Sequence, residues 1–171
     1  SSGTISGETS TARFLAPNSA AIDITGSFSL NNVRFYSSMS GSSHKAININ
    51  DTLTVEGNLE AEGYDNGGWH MYLNGGGEIT AMGNVIGNSR QVLGNVDITL
   101  NGTSGQAVQD LWYAASGTFT VNSGGTTSLS GAVKFGPAGS ITSGDTTLAV
   151  SSALDAGTSD VWFYGYGYAD V

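Results

Sequence analysis

Residues 47–61 read ININDTLTVEGNLEA, and this stretch decides the fold. It contains three short runs, residues 47–49, 53–55 and 59–61, in which every second residue is apolar. Such alternation turns one face of a strand inward and the other toward water. Asn50 and the pair Gly57-Asn58 separate the runs with residues that favour turns. The stretch therefore predicts a unit of three short strands joined by two corners.

The same unit recurs along the chain. Each repeat begins with a short apolar run, and we call the last residue of that run the anchor. A second and a third run follow about six and about eleven residues after the anchor. The spacing predicts an all-β right-handed parallel β-helix, or β-solenoid, with about six three-strand coils of 20–27 residues. The anchors are Ile24, Ile49, Leu73, Leu100, Val121, Ile141 and Phe163.

An antiparallel β-sandwich is the alternative, because it too has short strands at regular spacing. Its hairpins usually carry two-residue turns such as Asn-Gly. The turns Asn74-Gly75 and Asn101-Gly102 fall at one phase of the repeat, which stacked coils explain and hairpins do not. We therefore expect residues 20–171 to form the solenoid domain, with an aromatic C-terminal segment, and residues 1–19 to be an N-terminal cap or linker.

The position that follows each anchor is polar. Stacked at about 4.8 Å, asparagine side chains there would donate amide N–H groups to one another's carbonyl oxygens. The alternative is that asparagine simply favours turns. The predicted structural ladder consists of Asn50, Asn74, Asn101 and Asn122.

Composition limits the classes of partner. The net charge of -9 disfavours nucleic acid and anionic membrane surfaces, which attract cations. The absence of Cys excludes disulfides and thiolate metal sites. These features favour an extracellular setting. The chain begins at Ser1 without Met and without a signal-like segment, so we expect a mature form or a fragment of a longer protein.

No catalytic or metal-binding residue stands out. The acids Glu60, Glu62 and Asp65 have no Lys or Arg nearby in sequence, so a solvated face is expected. A calcium site built from these acids is the alternative, since calcium prefers oxygen ligands. His44 and His70 are far apart in sequence and do not predict a zinc site. We therefore expect no cofactor and no enzymatic activity.

Aromatic residues crowd the last ten positions of the chain. In an extended strand, alternate residues point the same way, so a row of aromatic rings is expected there. Such a row can contact a protein partner or stack on sugar rings. We expect Trp162, Tyr164, Tyr166 and Tyr168 to contact other protein chains, in a homo-oligomer, particle or filament, or surface glycans.

Threonine pairs raise the question of ice binding. They occur at Thr118 and Thr120, at residues 126–127 and at residues 146–147. These pairs do not predict one flat regular array, so the sequence does not favour that function.

Three segments carry a resemblance to known proteins: residues 52–59, 98–103 and 117–131. They are similar to repeats of secreted β-helical adhesins, haemagglutinins and autotransporter passengers, and to phage tail fibres, tailspikes and capsid-decorating proteins. The resemblance covers most of residues 20–155 and includes no catalytic motif. It implies a non-enzymatic structural or adhesive protein located outside the cell, on a cell surface or on a virion. The alternative is a glycan-binding or glycan-cleaving module, such as a polysaccharide lyase or hydrolase.

Overall fold

The protein is a parallel β-solenoid. The computed structural model describes residues 10–16, 21–37, 46–63, 70–136 and 145–164, which contain strands and no helix. Sheet A contains β1 (Thr11–Leu15), β4 (Asn32–Tyr36), β7 (Leu59–Glu62), β10 (Val85–Gly87), β13 (Ala107–Gln109), β16 (Thr127–Ser130) and β19 (Leu154–Asp155). Sheet B contains β2 (Ile22–Ile24), β5 (Ile47–Ile49), β8 (Met71–Asn74), β11 (Gln91–Gly94), β14 (Trp112–Tyr113), β17 (Val133–Phe135) and β20 (Val161–Phe163). Sheet C contains β3 (Phe28–Leu30), β6 (Thr52–Val55), β9 (Glu78–Ala81), β12 (Asp97–Leu100), β15 (Thr118–Val121) and β18 (Thr147–Val150).

Every strand pairs in parallel with the strand that lies one coil before or after it. Consecutive strands enter sheets B, C and A in turn, so neighbours within a sheet are three strands apart along the chain. This topology confirms the predicted solenoid and replaces the sandwich alternative, whose strands would be antiparallel. No helix long and apolar enough to cross a membrane occurs in the described part of the chain.

The core is built from columns of inward side chains that repeat from coil to coil. In sheet C the registers place Leu53, Ile79, Ile98 and Phe119 above one another, and all four are fully buried. Burying an aliphatic or aromatic side chain of this size contributes about 1.5–3 kcal/mol. The period-2 alternation of the sequence therefore becomes a continuous apolar interior.

The predicted anchors Ile24, Ile49, Leu73 and Phe163 share sheet B, although Leu73 lies opposite Ile47 rather than Ile49; the alignment is wrong for Leu100 and Val121, and Ile141 lies outside the described residues. Leu73 lies in sheet B as expected, but Leu100 and Val121 lie in sheet C, one strand later in the coil. The strand of sheet B that follows Leu73 is β11, and its residue opposite Leu73 is Gly94. Because this inward position is glycine, β11 lacks the apolar signature that marked the earlier anchors. Gly94 has a φ of 118°, and its position directly over the Leu73 carbonyl leaves no room for a side chain.

The first strand of the solenoid lies within the segment predicted as a cap or linker. β1 pairs in parallel with β4, and Phe14 stacks on Phe35 with ring centroids 5.2 Å apart. Residues 1–9 and 17–19 of that segment lie outside the described residues.

Tyr113 is the largest fully buried side chain in the described core. Its ring packs 5.4 Å from Phe119, and its hydroxyl donates a hydrogen bond of 2.6 Å to the Val96 carbonyl oxygen. Desolvation, aided by the nearby Asp97 carboxylate, raises the pKa of the Tyr113 phenol well above its ordinary value. The folded protein therefore keeps this phenol neutral.

We expect this phenol to make the protein less stable at alkaline pH. In the unfolded chain a tyrosine loses its proton near pH ~10, whereas the folded Tyr113 keeps it, so the free energy of unfolding should fall as pH rises above ~10. Tyr113→Phe should cost about 1–3 kcal/mol at pH 7, because it leaves the Val96 carbonyl buried without its donor. The same variant should show a shallower alkaline loss in urea unfolding curves.

Tyr72, which alternates with buried residues on β8, supplies the control. Tyr72→Phe should retain the alkaline loss of the unmodified protein. An equally steep alkaline loss in Tyr113→Phe would contradict the prediction.

Candidate functional site

An aromatic platform lies on the outer face of sheet B, near the C-terminal end of the solenoid. The registers place Trp112, Lys134 and Trp162 in one column of three neighbouring strands. The Tyr164 ring stacks on Trp112 at 5.4 Å between centroids and on Trp162 at 6.5 Å, with interplanar angles of 26° and 13°. We call Trp112, Trp162 and Tyr164 the aromatic platform.

Two interactions fix the orientation of Trp112. Its indole N–H donates a hydrogen bond of 2.9 Å to the Gly136 carbonyl oxygen. The Lys134 ammonium lies 4.6 Å from the centroid of the Trp112 ring, within the range of a cation–π interaction. Trp162, in contrast, is 49% exposed. The platform therefore combines the fixed ring of Trp112 with the half-exposed ring of Trp162, which is open to a ligand.

The predicted contact residues are only partly within the described chain. Trp162 and Tyr164 are in the platform, whereas Tyr166 and Tyr168 lie outside the described residues. Sequence reasoning missed Trp112 and Lys134, which belong to earlier coils. Only the strand register brings these two side chains to the same column as Trp162.

Glu60 and Glu62 lie on the outward face on either side of the buried Ala61, as expected, but Arg34 of the preceding coil is paired with both, which corrects the expectation that they have no cation nearby. Arg34 lies directly opposite Glu60 in the neighbouring strand, with Nε 3.4 Å from the Glu60 carboxylate. Its Nη2 donates to the Glu62 carboxylate at 2.5 Å. This hydrogen bond, together with both carboxylate charges, raises the pKa of Arg34 above its ordinary value. Arg34 also stacks over Tyr36, with its Cζ atom 5.4 Å from the ring centroid.

This pairing gives both carboxylates a structural contact between β4 and β7. Exposed ion pairs contribute only about 0.2–1 kcal/mol, so the cluster contributes little to stability. The third acid of the calcium alternative, Asp65, lies outside the described residues. Within the described ranges, no group of three His, Cys, Asp or Glu side chains is placed to hold a metal ion.

The four asparagines of the predicted ladder do not form one column. Asn50 and Asn74 follow or end strands of sheet B, whereas Asn101 and Asn122 follow strands of sheet C. Asn74 lies opposite Asn48 rather than opposite Asn50. Two causes separate them: the register of β5 and β8 places Leu73 opposite Ile47, which offsets Asn74 from Asn50, and the phase change at Gly94 moves Asn101 and Asn122 to another sheet. One rung is present: Asn122 Nδ2 donates to Asn101 Oδ1 at 3.1 Å.

A different asparagine ladder forms at the corner that enters sheet A, and we call it the corner ladder. The backbone N–H of Asn58 donates to Asn32 Oδ1 at 2.8 Å, and that of Asn84 donates to Asn58 Oδ1 at 3.3 Å. The backbone N–H of Ala107 completes the series by donating to Asn84 Oδ1 at 2.8 Å. The sequence signal was an asparagine directly before the third apolar run in three successive coils. These residues, Asn32, Asn58 and Asn84, are 26 residues apart.

At the end of the corner ladder, the Gln106 side chain bonds the backbone of the corner. Its buried amide donates to the carbonyl oxygens of Ala81, at 3.0 Å, and of Gly83. Its Oε1 accepts a hydrogen bond of 2.8 Å from the Gly102 N–H. One buried side chain thus satisfies three backbone groups that would otherwise be costly to bury.

No protein-family model matches the chain, and neither a curated protein nor a solved structure matches it. The parallel stacking of coils is the arrangement of β-helical proteins in general. The resemblance to adhesins and phage proteins stays a prediction.

The two asparagine sets should differ in their contribution to stability. Asn58→Ala should lower the free energy of unfolding by about 1–3 kcal/mol, because it leaves the partly buried Asn84 N–H without its acceptor. Asn101→Ala should cost less, since its rung joins two exposed side chains. Urea unfolding of the two variants measures the difference, and equal losses would show that the corner ladder has no special role.

Proposed function

We propose that this chain is a non-enzymatic extracellular β-solenoid with a structural or adhesive role, which joins other protein chains through its C-terminal end. Such a part would belong to a virion, as a fibre, spike or decoration subunit, or to a cell-surface adhesin or appendage. The resemblance of its repeats to those proteins supports the setting. The observation that carries the proposal is the exposed inner surface of the last coil.

In the last described coil, side chains that continue the core columns are not covered by a further described coil. In the inner column of sheet B, Tyr113 and Phe135 are buried, whereas Phe163 above them is 66% exposed. In the inner column of sheet C, Val121 is 1% exposed and Val150 is 48% exposed. We call Val150, Phe163 and the partly buried Leu148, Leu154 and Val161 the C-terminal end face.

This end face has the properties of an interface. It clusters large apolar side chains, which are enriched at the centres of protein interfaces. The strands β18, β19 and β20 are edge strands of their three sheets within the described part of the chain. Open edges invite strand addition unless they are covered. A partner that adds a further coil would satisfy these edges and bury Phe163 in the same step.

The acidic cluster also supports a structural role. Glu60 and Glu62 share Arg34, so each carboxylate is engaged within the protein rather than directed at a substrate. Glycan cleavage by paired carboxylates requires one group to act as an acid and the other as a base or nucleophile. The Arg34 guanidinium engages both carboxylates, so the pair is not arranged as a separate acid and base.

Removing the exposed ring should weaken association. Phe163→Ser should shift the protein toward monomer in a concentration series followed by native mass spectrometry or light scattering. The matched control is Trp162→Ser, which changes the opposite face of the same strand and should leave association intact. The proposal would be overturned by an unmutated protein that stays a monodisperse monomer at high concentration.

The aromatic platform favours glycan binding as a second candidate function. A half-exposed Trp162 beside the stacked Tyr164 offers a flat apolar surface, which suits the face of a sugar ring. In a glycan array, Trp162→Ala should lose binding and Phe163→Ser should retain it. Release of reducing ends from a polysaccharide would instead indicate the glycan-cleaving alternative.

A further inference from the structure

The outer face of sheet C carries a regular array of threonines. The strand registers align its outward side chains in two columns. The first column contains Thr52, Glu78, Asp97, Thr118 and Thr147, and the second contains Ser29, Thr54, Thr80, Thr99, Thr120 and Ala149. We call these two columns the threonine face.

As expected, the threonine groups noted in the sequence do not form one array, but Thr118, Thr120 and Thr147 belong to a larger one. The sequence drew attention to adjacent pairs, but Thr127 is fully buried in sheet A and is not part of the face. The array instead takes outward positions from successive coils, such as Thr54, Thr80, Thr99 and Thr120. Residues this far apart in sequence are neighbours only because the coils stay in register.

The geometry of the sheet sets the spacing of the array. Neighbouring strands lie about 4.8 Å apart, and alternate residues of one strand lie about 6.6 Å apart. Threonine is β-branched, so its hydroxyl and methyl groups have few rotamers and little conformational entropy to lose on binding. The face therefore presents hydroxyl and methyl groups on a stiff two-dimensional grid.

The chemistry of this grid disfavours several ligand classes. The two columns contain no Lys or Arg to attract phosphates and no aromatic ring to anchor a protein partner or a sugar. Small-molecule sites are concave, whereas these side chains stand side by side on the outside of a sheet. What remains is a ligand that is itself a repeating lattice and that accepts hydroxyl and methyl contacts equally.

We propose that the threonine face binds ice. A crystal of water presents oxygen atoms in a two-dimensional repeat on the scale of several ångströms, as the face does. Matched repeats allow many weak contacts to form together without a separate ordering cost for each. The proposal does not depend on the C-terminal end face, which lies at the end of the coils rather than on their side.

The acids of the first column limit the array. Glu78 accepts a hydrogen bond of 3.5 Å from Thr80 Oγ1, so it occupies one hydroxyl of the second column as well as replacing a threonine of the first. Asp97 has a structural contact, because its Oδ1 accepts a hydrogen bond of 2.7 Å from the Thr118 N–H. Glu78 is therefore the position at which a substitution can improve the face without breaking a backbone contact.

The test is thermal hysteresis, the gap between melting and freezing points of an ice crystal in protein solution, together with inhibition of ice recrystallisation. The unmutated protein should show both. Thr99→Tyr, which places a bulky ring in the middle of the second column, should abolish most of the hysteresis. Gln109→Tyr, on an exposed outer position of sheet A, is the matched control and should retain it.

A gain of activity provides the second arm. Glu78→Thr should increase hysteresis, because it extends the first column and frees the Thr80 hydroxyl. Thermal melts of each variant establish that the fold is intact. The proposal is overturned if the unmutated protein shows no hysteresis, or if Thr99→Tyr and Gln109→Tyr behave alike. It is also overturned if Thr99→Tyr affects only binding to an insoluble polysaccharide.

Discussion

Backbone hydrogen bonding between equivalent strands of successive coils is the constraint on which the rest of the structure depends. The described strands have only two to five residues, and each is held in parallel register by the strand one coil away. This register makes residues from different coils into direct neighbours. Arg34 meets Glu60, and Trp112 shares a column with Lys134, because each pair occupies equivalent positions of adjacent coils.

The parts of the fold that local patterns encode could be predicted from the sequence. Alternating residues such as Leu53 and Val55 identify an inward face, and their recurrence identifies a solenoid. The prediction failed at β11 because Gly94 replaces the inward apolar residue, and an alignment based on apolar runs then passed over a whole strand. A glycine that packs against the coil below is favourable in the structure but invisible to a hydrophobic pattern.

The candidate site was predictable to the extent that its residues are neighbours in sequence. Trp162 and Tyr164 form a visible local cluster, whereas Lys134 and Trp112 depend on the register, which depends in turn on the length of every intervening corner. Those lengths vary: the backbone bonds of the corner ladder join residues 26 apart in two coils and 23 apart in the next. The ladder ends at that shorter coil, where Gln106 satisfies the corner instead.

The strict inner alternation leaves the outer residues free to differ between the three sheets. Sheet A carries the Arg34 ion pairs, sheet B the aromatic platform and sheet C the threonine face, and each can change without disturbing the common core. The C-terminal end differs in kind, because there the inner column itself reaches the surface at Phe163. A further coil, from whichever chain, would cover Phe163 as the described coils cover Phe135. Association at this end would therefore use the same backbone pairing and apolar burial that fold each coil onto the one before it.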